Sequence, residues 1–110
     1  MKNVNVGKEF YHRLANRDKR QGDGRHNAEE FRLRYFKELD NKEAWLDDSV
    51  FVILDFADVK VVGPSFANEA FAYFTIYATP EQIKKKILFE NISVIDTAII
   101  DTELKAGYDR

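Results

Sequence analysis

Residues Val50–Tyr77 read VFVILDFADVKVVGPSFANEAFAYFTIY, and the fold turns on how this stretch is divided. Val50 to Phe56 is almost continuously apolar and rich in β-branched side chains, the pattern of a strand covered on both faces in the middle of a sheet. Val59, Val61 and Val62 prolong an extended segment, with Asp58 and Lys60 turned away. Gly63-Pro64 stops it, and Pro64 either takes an early helical position or directly precedes a Ser65 N-cap. Beyond the stop, Phe66, Ala70, Tyr73 and Tyr77 share one helical stripe, while Ala67, Phe71, Phe74 and Ala78 share its neighbour. The merged face predicts a heavily buried helix that runs to Thr79-Pro80.

Downstream, Glu81 to Lys86 reads as a charged helical turn and Ile87-Leu88-Phe89 as a third short strand. Ser93 to Asp96 resembles a capping box, followed by Ile95, Ala98, Ile99, Thr102 and Ala106 at helical spacing, with Gly107 as the stop. Upstream, Val4 and Val6 alternate with polar neighbours and predict a short first strand. Residues 11–26 are polar and basic, with Gly22-Asp23-Gly24 as a turn signal; they predict a long mobile loop with a helical turn near His12 to Asn16. Asn27 with Glu30 opens a helix of about three turns, whose face is Ala28, Phe31, Tyr35, Phe36 and Leu39. Trp45 and Leu46 are expected over the core edge. The order β, loop, α, β, α, β, α predicts an α/β fold, a small layered domain with a short, mostly parallel or mixed sheet and helices packed on it.

At 110 residues the chain is expected to be a single domain over 1–110, and 45% apolar content supplies one moderate core. Cysteine is absent, which removes disulfides and thiolate chemistry. No apolar run approaches the ~18–20 residues of a membrane span, and the N-terminus lacks a signal-peptide pattern. A cytoplasmic protein without membrane contact is expected. The net charge of −2 is unevenly spread. Residues 1–37 hold ten Lys/Arg and five Asp/Glu, residues 38–110 seven and fourteen, so +5 is followed by −7.

Candidate sites follow from these elements. Ser65, at a strand-to-helix joint, is a candidate phosphoacceptor, because a phosphate there would meet exposed N–H groups and could repel an acidic partner surface. The competing reading is a capping serine. Gly63, Pro64, Asn68 and Glu69 form a candidate partner-binding patch beside it, or a solvated helix face. Arg17, Lys19, Arg20 and Arg25 are an alternative phosphate-binding set for a nucleotide or nucleic acid, against a solvated basic loop with interspersed acids. Nucleic acid is the less expected ligand, since no nucleic-acid motif accompanies these residues. Asp55 and Asp58 stand at a strand end, where carboxylates bind ligands or form turns. His12 and His26, with Asp18 or Asp23, lack metal-ligand spacing. No catalytic residue, metal or cofactor is expected.

The string VILDFADVKVVGPSFANEAFAYF, with KKKILFENIS at Lys84 to Ser93, resembles the STAS-like family of unknown function, related to the STAS domains of sulfate transporters and anti-sigma factor antagonists. The resemblance spans Val50 to Ala106. It implies a non-enzymatic regulatory interaction module whose partner is a protein, most naturally a histidine-kinase-like ATPase or anti-sigma-type regulator. In the antagonists, Asp-Ser-Ser/Thr-Gly stands between the central strand and the next helix, and a serine there is phosphorylated. Counted from Leu54-Asp55-Phe56, that serine falls on Ser65, with Gly63, Pro64 and Phe66 in place of the family's aspartate, first serine and glycine.

Overall fold

A computed structural model describes residues 2–21 and 24–110. From the N-terminus its elements are β1 (Lys2–Asn5), α1 (Val6–Glu9), β2 (Arg13–Leu14), α2 (Ala28–Tyr35), β3 (Val52–Asp55), β4 (Val61–Val62), α3 (Pro64–Ala70), α4 (Pro80–Lys86), β5 (Ile87–Glu90) and α5 (Val94–Tyr108). Turns of 3-10 helix lie at Lys19–Gln21, Lys37–Leu39, Lys42–Trp45 and Ala72–Ile76.

The apolar run expected at the sheet centre is there: β3 lies between β1 and β5, parallel to both. Val4, Leu54 and Phe89 align across the three strands, as do Lys2, Val52 and Ile87. Val52 and Leu54 are fully buried under the helices, whereas Ile53 and Asp55, on the opposite face, are half-buried. The sheet is therefore sealed on one side, not two. Three strands with a single covered face satisfy β3 because the half-buried face needs only partial shielding.

The polar stretch 11–26 is more structured than its composition suggests. Arg13 and Leu14 pair in parallel with Val61 and Val62 as a second, two-stranded sheet, and Leu14 is fully buried. The main chain is tied down further: the Gly63 N–H donates to Leu14 O at 2.7 Å, Lys60 N–H to His12 O at 2.8 Å and Ala28 N–H to Asn16 O at 2.9 Å. A helical turn does form nearby, but at Val6–Glu9, capped by Asn5, instead of at His12 to Asn16. Gly7 permits it, because a Cβ there would collide with the Asp58 carbonyl group. Gly22 and Asp23 lie outside the described residues.

The helix from Asn27 is shorter than expected, ending at Tyr35 and tightening into the 3-10 turn that carries Leu39 inward. Asn27 caps it, accepting from Glu30 N–H at 2.9 Å while its own amide reaches Gly24 O at 2.9 Å. Trp45 is buried and donates to Leu39 O at 2.9 Å, but Leu46 is 78% exposed.

The helix after Gly63-Pro64 also divides. α3 ends at Ala70 and the chain continues as a 3-10 turn, through residues whose β-branched and aromatic side chains favour the α-helix weakly. Thr75 adds a competing bond, its hydroxyl donating to Ala72 O at 2.7 Å. Burial is as expected: Phe66, Ala67, Ala70, Phe71 and Phe74 are all at 0%. Phe66 and Phe71 meet Phe31 edge-on at centroid distances of 5.5 and 6.1 Å, and Phe71 meets Phe89 of the sheet at 5.3 Å. Thr79 and Gln82 close a reciprocal capping box on α4.

α5 differs most from its sequence reading. Ser93 caps it, accepting from Asp96 N–H at 3.0 Å, but the buried residues are Ile100 and Leu104. Of the stripe Ile95, Ala98, Ile99, Thr102 and Ala106, all but Ile99 face outward, with Ile95 73% exposed, while Ile99 is half-buried against the core. Gly107 does not stop the helix. It lies inside it and lets α5 approach the Ala72–Ile76 turn, since a Cβ there would come within 3.0 Å of Ala72 Cβ and 3.1 Å of Thr75 Oγ1.

Candidate functional site

The joint between β4 and α3 sits at the surface. Gly63 is the N-cap residue and Pro64 the first helical residue, so Ser65 falls at the second helical position and is not the cap. Among the described residues the Ser65 side chain makes no hydrogen bond, whereas the chain's other two serines are committed. The Ser49 hydroxyl donates to Asp47, whose carboxyl is held well below its ordinary pKa by that bond and by Lys86. Ser93 Oγ caps α5. Ser65 is half-buried and Pro64 exposed. α3 has seven residues, so its dipole adds little at this position.

One turn on, Asn68 and Glu69 lie on the Ser65 side of α3, three and four residues along. They do not stand free. Arg17 Nη1 donates to Asn68 Oδ1 at 3.0 Å and lies 3.6 Å from Glu69 Oε1. The nearly buried Arg32 of α2 donates to Glu69 Oε2 at 3.0 and 3.2 Å and stacks over Tyr73 at 3.8 Å. Tyr73 and Tyr77 in turn donate to Asp40 Oδ1 at 2.9 and 2.8 Å. Desolvation, then the Asp40 bond, raises the Tyr73 pKa; for Tyr77 the Asp40 bond is the larger cause. A cleft of about 460 Å³ opens beside this network, bounded by Arg17, Asn68, Glu69, Tyr73, Tyr108 and Arg110.

Two groups of residues that the sequence separates thus meet. Arg17, from the basic set, touches Asn68 and Glu69, from the partner patch. The rest of the basic set does not converge with it. Arg20 is held by Asp18 at 2.7 Å, and that bond lowers the Asp18 carboxyl to about 2. Lys19 and Arg25 are exposed, with Arg25 beside Phe10, Glu30 and Arg34. The Arg17 and Arg20 charges are thereby engaged by neighbouring side chains to a degree that composition does not reveal.

Of the strand-end carboxylates, Asp55 forms a turn, whereas Asp58 binds the α1 region. Asp55 accepts from Ala57 N–H at 2.9 Å and from Asn91 at 3.0 Å, and Asp58 accepts from Asn5 at 2.8 Å. The Asn91 bond is the main reason that the Asp55 pKa is lowered. His26 stacks on Tyr11 with ring centroids 4.0 Å apart. Among the described residues no three His, Cys, Asp or Glu side chains converge on a point, and no helix is long and apolar enough to cross a membrane.

Sequence reasoning missed Arg32 and Asp40. The signal was weak because their partners, Glu69, Tyr73 and Tyr77, are 33 to 37 residues away.

Comparison with curated proteins and with solved structures gives no match. A family model described as a STAS-like domain of unknown function (DUF4325) matches residues 27–97, from the cap of α2 through β3, the Ser65 joint and β5 into α5. That match takes in 71 of the 110 residues, counted as 97 − 27 + 1, and includes the whole joint. The chain belongs to this STAS-like domain family.

Proposed function

We propose that the protein is a regulatory interaction module that presents the Gly63-Pro64-Ser65 joint and the Asn68-Glu69 side of α3 to a protein partner, with Ser65 as a phosphorylated switch. The observation that carries this reading is the state of the three serines. Ser49 and Ser93 spend their hydroxyls on Asp47 and on the start of α5, while Ser65 spends its hydroxyl on nothing among the described residues. The capping role that competes with a phosphoacceptor role at such a joint falls to Gly63 instead.

A phosphate on Ser65 adds close to two negative charges one turn before Glu69, whose own carboxylate is already matched by Arg17 and Arg32. The new charge disfavours an acidic contact surface on a partner. The STAS-like resemblance supports a histidine-kinase-like ATPase or anti-sigma-type regulator as that partner. Neither role requires a catalytic group in this chain.

The test is recovery of partners from the native host on tagged wild-type protein, Ser65→Ala and Ser65→Asp. Ser65→Ala is expected to match wild type, and Ser65→Asp to lose the same partner at least tenfold. Equal recovery on all three would remove the switch.

A further inference from the structure

The outer face of α5 is apolar where a solvent-facing helix is ordinarily polar. Val94 and Ile95 are 87% and 73% exposed, and Ala98, Thr102 and Ala106 continue the exposed line toward the C-terminus. Ile100, Leu104 and Gly107 anchor the helix from its other side and Ile99 packs against the core edge, so Val94 and Ile95 are left without a role in holding α5 in place. A shallow groove of about 320 Å³ runs between this stripe and Pro64, floored by Ile99 and edged by Glu103.

Glu103 is the charged residue that lines the groove. Asp96 lies seven residues before Glu103, two helical turns or ~10 Å along the same line of α5. Both are half-buried, and neither side chain has a hydrogen bond or ion pair among the described residues. Asp101, on another side of α5, is paired with Lys84 at 2.7 Å. Two unpaired carboxylates on one line of α5, with Glu103 at the groove edge, complement a helix with an apolar face and cationic flanks, whose own side chains two turns apart repeat the same ~10 Å.

We infer that the α5–Pro64 groove docks an amphipathic, cationic helix of a protein partner. The inference rests on the interaction-module reading and gives it a second contact surface, one residue from Ser65 along the chain. The apolar stripe supplies the contact area, and Asp96 and Glu103 select the sign of the flanks.

A labelled helical peptide with leucines on one face and lysines on both flanks tests it, beside a counterpart carrying glutamates in place of the lysines. The lysine peptide is expected to bind the wild-type protein, with amide-shift changes confined to Pro64 and residues 94–106. Its affinity is expected to fall at least tenfold for Ile95→Glu and for Glu103→Lys, and Asp96→Lys combined with Glu103→Lys is expected to favour the glutamate peptide. Ile95 and Glu103 lie outside the core, so circular dichroism and urea midpoints like those of wild type would show that these variants are folded. Binding indifferent to flank sign, a footprint elsewhere, or no binding overturns the inference. So does concentration-dependent self-association abolished by Ile95→Glu, since the occupant would then be a second copy. The assay contains no Ser65 variant, so its outcome is separate from the partner recovery on which the proposed function stands.

Discussion

Helices α3 and α5 carry apolar faces of similar width, yet one disappears into the protein and the other remains on its surface. α3 lies between α2 and α5, and Phe66, Ala67 and Ala70 lose all contact with solvent. Its polar side is clasped as well, by Arg17 and Arg32. α5 packs through Ile100, Leu104 and Gly107, with Ile99 half-buried against the core, and offers Val94 and Ile95 to solvent. An apolar helical stripe thus marks a buried face only when neighbouring elements flank it on both sides. Otherwise it stays at the surface.

The largest expected effect sharpens the α3 half of this contrast. Phe66→Ala removes a ring that touches Phe10 and Phe31, and is expected to cost about 3–5 kcal/mol in urea unfolding, a large share of a small domain's stability. Glu69→Ala leaves the Arg32 guanidinium, 11% exposed, without its carboxylate, and a loss of about 2–3 kcal/mol is expected in the same assay. Gly107→Val probes the one close approach of α5, to Ala72 and Thr75, where overpacking is expected to cost about 1–2 kcal/mol. Ile95→Glu is expected to change the stability read from urea unfolding by no more than about 0.5 kcal/mol, although the residue is a large apolar one that begins the stripe. A cost above about 2 kcal/mol for Ile95→Glu would erase the difference between the two helices.

The parts of the fold that the sequence made legible are those where burial leaves a long pattern. The Val50–Phe56 run marked the central strand, and the double stripe from Phe66 marked the buried helix. β2 left no such trace, because a two-residue strand offers no period and Leu14 stands alone among polar neighbours. The α5 stripe misdirected for a different reason: Ile95, Ala98, Ile99 and Thr102 repeat as regularly as Ile100 and Leu104, and periodicity does not say which side meets the core. Gly107 read as a stop because a glycine near a helix end usually is one, whereas here the missing Cβ admits Ala72 and Thr75.

Of the candidate site, the Ser65 joint and the Asn68-Glu69 step were legible from a stop signal and helical spacing. The clasp on Glu69 was not, because it joins Arg17, Arg32 and Glu69 across chain separations that no local pattern spans. Nor does the sequence show which serine hydroxyls are spent, a matter of backbone geometry at each cap.

That last point gives the most direct test. Phosphosite mapping of the protein isolated from its native host, across growth and starvation, reads all three serines at once. The proposed switch predicts phosphate on Ser65 and none on Ser49 or Ser93. Phosphate on Ser49 or Ser93, or none on Ser65 under any of these conditions, would contradict it.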